Sequence, residues 1–107
     1  MEAAEVGGMK ASDICAKAAE LVGGERGRQH GTKERNFESI AALWNGYMMI
    51  RPKDDQGLAH PFSAADVGHM MVLLKIARTQ HGAHNLDDYI DMAGYAGCAG
   101  EIAEGAQ

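Results

Sequence analysis

A chain of 107 residues, 46% of them hydrophobic, with a formal net charge of −5, supports one domain with one modest core. The acid excess and a pI near 5.4 argue against a nucleic-acid partner, which would call for a basic face toward phosphates. No apolar run approaches the roughly 18 residues of a membrane span, and the opening Met-Glu-Ala-Ala-Glu-Val lacks the basic and apolar regions of a signal peptide, so a soluble cytoplasmic protein with no membrane partner is expected.

Proline occurs only twice, β-branched alternation is absent and four segments carry a helical period, which predicts an all-α fold filling residues 1–107 as a single domain, with residues 1–10 flexible. The first helix runs from about Ala11 to Val22, with Ser12 as cap, Ile14, Ala18 and Leu21 as its stripe and Gly23-Gly24 as its stop. A polar, glycine-broken loop, Glu25 to Lys33, follows. The second helix, about Glu34 to Ile50, places Asn36, Ile40, Leu43, Tyr47 and Ile50 on one face, with Phe37 and Trp44 beside them, and ends at Arg51-Pro52. Ser63 and Asp66 form a capping box that opens the third helix, which continues through Met70, Leu73, Leu74 and Ala77 to about Gln80.

The fourth helix, residues 85 to 104 behind an Asn85 cap, carries Asp87, Asp88 and Asp91 within about a 100° arc, on the face that continues through Tyr95, Cys98 and Ile102. The rest of that helix is apolar or small nearly all round, so the three acids are expected to look inward. Crowded, desolvated carboxylates must be protonated, paired with Lys or Arg, or bound to a hard cation such as Mg²⁺ or Mn²⁺. The macrodipole accounts for Asp87 and Asp88 in the first turn; Asp91 lies a full turn further in. Cys15 and Cys98 lack metal-type spacing and read as reduced thiols.

Up-down order in a four-helix bundle brings the end of helix one, the start of helix two, the end of helix three and the start of helix four to one pole. That pole collects Glu20, Glu25, Arg26, His30, Glu34, Asn36, Glu38, Lys75, Arg78, Asp87, Asp88 and Asp91, acids for metal beside cations for phosphate oxygens. The other pole collects far less. Asn36 points with the core stripe and should have a polar partner. Competing readings are solvated faces for Lys75, Arg78, Glu34 and Glu38, ion pairs of Lys75 or Arg78 with Asp87 or Asp91, and a His81, His84, Asp87, Asp91 site for Zn²⁺ or Mn²⁺. Asp66 reads as a helix-start acid that a dimer could bring to another subunit's site. Trp44, Met48, Met49, Met70 and Met71 exceed what a small monomer covers, so a homodimer or a pair of dimers is expected.

Three stretches carry a family resemblance: Asn36-Phe37 with Ile40-Ala41-Ala42-Leu43-Trp44; Asp66-Val67 with Met70-Met71-Val72-Leu73-Leu74-Lys75-Ile76-Ala77-Arg78; and Asp87-Asp88-Tyr89-Ile90-Asp91-Met92-Ala93-Gly94-Tyr95-Ala96. Together, over about residues 14 to 104, they resemble small phage-encoded all-α proteins of the MazG-like nucleotide pyrophosphohydrolases, including the MazZ diphosphohydrolases. The resemblance implies a four-helix MazG-like fold, completed by dimerisation or tetramerisation. The implied activity is hydrolysis of a (deoxy)nucleoside triphosphate, with a purine such as dGTP favoured, to monophosphate and pyrophosphate. It implies Mg²⁺ or Mn²⁺ held by Glu34, Glu38, Asp87, Asp88 and Asp91, with Glu38 and Asp91 catalytic, Lys75 and Arg78 on phosphate oxygens and Asn36 orienting substrate. Asp88-Tyr89-Ile90-Asp91 is similar to the family's second acidic motif with Asp for Glu, whereas Glu34-Arg35-Asn36-Phe37-Glu38 has Arg35 where the first motif has an acid. The alternative is a non-catalytic phage interaction protein on the same bundle, its acids held in structural ion pairs.

Overall fold

The computed structural model describes residues 8–23 and 32–106, which form four helices and no strand. They are α1 (Ala11–Gly23), α2 (Lys33–Ile50), α3 (Ala64–Thr79) and α4 (Leu86–Gly105). Most of the expected flexible stretch, residues 1–7, lies outside the described residues, as do Glu25, Arg26 and His30. No helix among the described residues is long and apolar enough to cross a membrane.

The helix ends are set by local chemistry. Thr32 caps α2 by accepting from the Arg35 backbone N–H, and Asn85 caps α4 by accepting from the Asp87 N–H at 3.0 Å. Ser63 and Asp66 form the reciprocal capping box at the start of α3. At the far end of α2 the Lys53 ammonium donates to the carbonyls of Met48, Met49 and Arg51, which supplies cations where the helix leaves its acceptors unpaired. The α2–α3 loop then turns on Asp54, whose carboxylate accepts from Gln56 and Leu58 N–H, and on Gly57 at φ 84°.

Packing is unequal. α3 lies against α4 along its length and against α2, whereas α2 and α4 make no extended contact with one another. Trp44 Nε1 donates to the Met70 carbonyl at 2.8 Å and ties α2 to α3. Buried apolar residues are few among those described: Ile40, Ala77 and Ala99. Every residue of α1 is exposed, including Ile14, Leu21 and Val22. The single chain is therefore three associated helices and a fourth with its stripe in water, rather than a closed bundle.

The α3–α4 crossing is close because Gly68 has no side chain. A Cβ built there meets Ala99 Cβ at 2.8 Å and the Tyr95 carbonyl at 3.1 Å. Gly68→Ala should therefore lose stability, although alanine ordinarily favours a helix by about 1 kcal/mol. Overpacking against a backbone carbonyl costs about 1–3 kcal/mol, so the net effect in a denaturant melt is a lowered midpoint. A raised midpoint would show that α3 and α4 separate easily.

Candidate functional site

Where α2 begins, α3 ends and α4 begins, a cluster of polar side chains is built from all three helices. Ser39 Oγ and His81 Nε2 lie 2.8 Å apart and join α2 to the turn after α3. Lys75 Nζ meets Asp91 Oδ2 at 2.9 Å; the lysine side chain is 11% exposed and the aspartate 44%. Gly68 abuts Ala99 in the same antiparallel pairing of α3 with α4. Asp88 is buried at 4% exposure, and among the described residues its carboxylate has no ion pair or side-chain hydrogen bond. Asn36 is equally buried, and among the described residues its Oδ1 and the Arg78 Nε have no hydrogen-bond partner, as is also true of the Arg51 Nε at the other end of α2. A buried polar atom left unpaired costs about 1–3 kcal/mol, so this arrangement is stable only if something else supports it.

The site differs from expectation in several residues. The three acids of α4 do not form one inward set: Asp88 is buried, Asp91 is half-buried and paired, and Asp87 is exposed. The reason is that α4 is covered only on its α3 side, so a 100° arc straddles the boundary between core and water. Cys98 and Ile102 on the same nominal face are exposed as well. Asn36 is buried as its stripe position demands, but the expected partner for its oxygen is missing. Of the readings open for Lys75, the ion pair with Asp91 is the one formed, and the solvated face is not. Glu34 and Glu38 are exposed, as is Glu20, which pairs with Lys17 at 3.8 Å.

No three His, Cys, Asp or Glu side chains converge as a metal group among the described residues. His81 is engaged by Ser39, and His84 is exposed with its ring 6.2 Å from that of Tyr89. Within one chain Asp91 is held by a lysine, so Mg²⁺ or Mn²⁺ would need further carboxylate oxygens from a second chain to complete its ligands.

The opposite pole is richer than the residue pattern suggested. Arg51, 7% exposed, donates to the His60 carbonyl at 2.7 Å, the Pro61 carbonyl at 3.1 Å and Asp66 Oδ2 at 2.8 Å, and its guanidinium lies 4.7 Å above the centre of the Phe62 ring. The Tyr47 hydroxyl donates to Asp66 Oδ1 and lies 2.8 Å from His69 Nδ1. The Ser63 N–H, with help from the Tyr47 hydroxyl, holds the Asp66 carboxyl well below the usual range, and burial pushes the Tyr47 phenol up. Beside this network an open groove of about 430 Å³ runs between α2 and α4 over α3, lined by Tyr47, His69, Val72, Leu73, Ala96, Ala99 and Gly100. The residue pattern marks Arg51 only as a helix stop; a half-buried tyrosine hydroxyl in need of a partner is the available signal.

A family model described as a domain of unknown function, DUF6378, matches residues 13–103, from the first turn of α1 almost to the end of α4. The chain belongs to the DUF6378 family. Both polar clusters of this DUF6378 chain lie inside the matched span. The Gene 55 protein of Mycobacterium phage D29 is 38% identical over 91 residues, 85% of this chain and 54% of that protein. The Gene 55 protein of Mycobacterium phage L5 is 38% identical over 84 residues, 78% of this chain and 48% of its own length. The DUF6378 chain thus spans about half the length of the curated phage relatives it matches. No solved structure matches it.

Proposed function

We propose that this DUF6378 chain is a subunit of a MazG-like (deoxy)nucleoside triphosphate pyrophosphohydrolase, acting as a homodimer or tetramer on the nucleotide pool of a phage-infected cytoplasm. A purine such as dGTP is the favoured substrate. The observation that carries the reading is that the helix ends of this pole hold a buried Asp88 without an ion pair, an Asn36 Oδ1 and an Arg78 Nε without hydrogen-bond partners, and the Lys75–Asp91 pair. Unsatisfied polar atoms of this kind concentrate at sites that await a ligand.

In this reading Lys75 and Arg78 take oxygens of the triphosphate. A phosphate oxygen that engages Lys75 competes with Asp91 for the ammonium and frees that carboxylate. Asn36 orients the substrate from the start of α2, and the burial of Lys75 keeps water from weakening the phosphate contact. A divalent cation would supply charge neutralisation on the phosphates and a bound water of lowered pKa. Because the acids of one chain do not converge, that requirement is tied to completion of the site by a second chain.

The ion pair of Lys75 with Asp91 favours a second reading, a non-catalytic helical interaction protein in which the acids are structural. A product assay separates the two. Incubation with dNTPs and Mn²⁺ should release pyrophosphate, with loss of turnover in EDTA; orthophosphate as first product, or no turnover with any dNTP, would remove the hydrolase.

A further inference from the structure

We infer that the groove over α3 is the seat of a helix from a second copy of this chain, and that the helix is α1, exchanged reciprocally between two subunits. The inference does not depend on the catalytic reading. α2 and α4 both pack on α3 but not on each other, which leaves an open channel whose floor is Val72 and Leu73 and whose walls are Tyr47 on one side and Ala96, Ala99 and Gly100 on the other. That is the vacant position of a four-helix bundle. The small residues on the α4 wall let another helix axis come within the roughly 8–10 Å of ordinary helix packing.

Among the described residues, α1 is the one helix left to fill it. Its apolar side chains Ile14, Ala18 and Leu21 recur at the i, i+4, i+7 spacing of a buried stripe, and Val22 adjoins them. Ile14 is 55% exposed, Leu21 42% and Val22 52%. At 13 residues α1 is about 20 Å long.

The exposed apolar area identifies the occupant as a second copy rather than the chain's own α1. Among the described residues fifteen large apolar ones are exposed, including Phe37, Met49, Ile50, Tyr89 and Ile90. At such exposures each shows on the order of 100 Å², a total on the order of 1,500 Å². One short helix folded back on its own chain would leave most of this in water, whereas a stable dimer buries about 800 Å² from each partner. The surplus is of the size that a second copy would cover, with Ile14, Leu21 and Val22 of α1 part of it.

The test uses the full chain. Light scattering coupled to gel filtration should give at least twice the 11.4 kDa chain mass at micromolar concentration. The α1 variant Ile14→Glu/Leu21→Glu and the groove variant Ala96→Glu change exposed positions, so each should keep its helical circular dichroism while dissociating at least 10-fold more readily. Mixing the two should recover association, because an intact α1 then meets an intact groove across the pair. In half-labelled wild-type protein, isotope-filtered NOEs should run from Ile14 and Leu21 methyls of one copy to Val72, Leu73 and Ala96 methyls of the other, a readout that needs no variant to fold. A wild-type mass of one chain, variants that associate as wild type does, a mixture that recovers nothing, or α1 NOEs confined to its own chain would each overturn the inference.

Discussion

Arg51→Ala is expected to cost the fold about 3–5 kcal/mol, the range for removing one partner of a buried ion pair. Total stability for a domain of this size is about 5–15 kcal/mol, so much of the native population should be lost. The guanidinium satisfies two loop carbonyls, the Asp66 carboxylate and the face of Phe62 together, and its removal leaves the carbonyls without this donor and the carboxylate without its cation. Arg51→Lys should recover little, since an ammonium is a point charge and cannot span three acceptors in a fork. Equilibrium denaturation at one fixed protein concentration reads the loss. A change under about 0.5 kcal/mol, the scale of ordinary surface substitutions, would mean that the α2–α3 loop is held by something other than Arg51.

The same network gives a pH dependence of known sign. The Asp66 carboxyl is held below its ordinary value, 3.8, in the folded chain. A group with a depressed folded pKa stabilises fully above its unfolded pKa and loses that contribution as pH falls below it. Stability should therefore decline as pH drops below about 4, and Asp66→Asn should flatten that decline.

Three helix ends were readable because each rests on a local rule, whereas Ser12, expected as a cap, lies inside α1. Ser63 with Asp66, Asn85 before Asp87, and Arg51-Pro52 act within four residues of themselves, and the structure uses all three. Burial of Asn36 and Ile40 followed from their shared stripe on α2. What escaped depends on crossings that no local period encodes. Whether Asp87 or Asp88 faces the core is decided by how α3 lies across α4, which in turn depends on Gly68 admitting Ala99. The partnership of Tyr47 with Asp66 and His69 exists only because α2 and α3 run antiparallel at one particular register. Asp66 had a sufficient local role as a capping residue, which concealed its second role as the acceptor for Arg51.

Asp91→Asn distinguishes the two proposed functions because they assign its charge to different partners. If Asp91 serves the reaction, the amide keeps its shape but removes the charge, and turnover should fall on the order of 10²-fold or more, as when one transition-state contact is lost. If the carboxylate only neutralises Lys75, the effect falls on stability instead. That cost should be about 1–3 kcal/mol, below the range for fully buried pairs because water reaches nearly half of the Asp91 side chain. The double substitution Lys75→Met/Asp91→Leu sharpens the choice. A structural pair replaced by apolar groups of similar size is close to neutral or stabilising, so the melt should recover while any turnover stays lost. Ligand linkage supplies an independent check, since a cation that binds only the folded chain raises its stability by RT ln(1 + [L]/Kd), about 2.7 kcal/mol at 100 times Kd. A wild-type melting temperature that rises with Mn²⁺, and an Asp91→Asn protein that no longer responds, would assign the carboxylate to the reaction. A melting temperature indifferent to Mn²⁺, with the Asp91→Asn loss confined to stability, would assign it to Lys75.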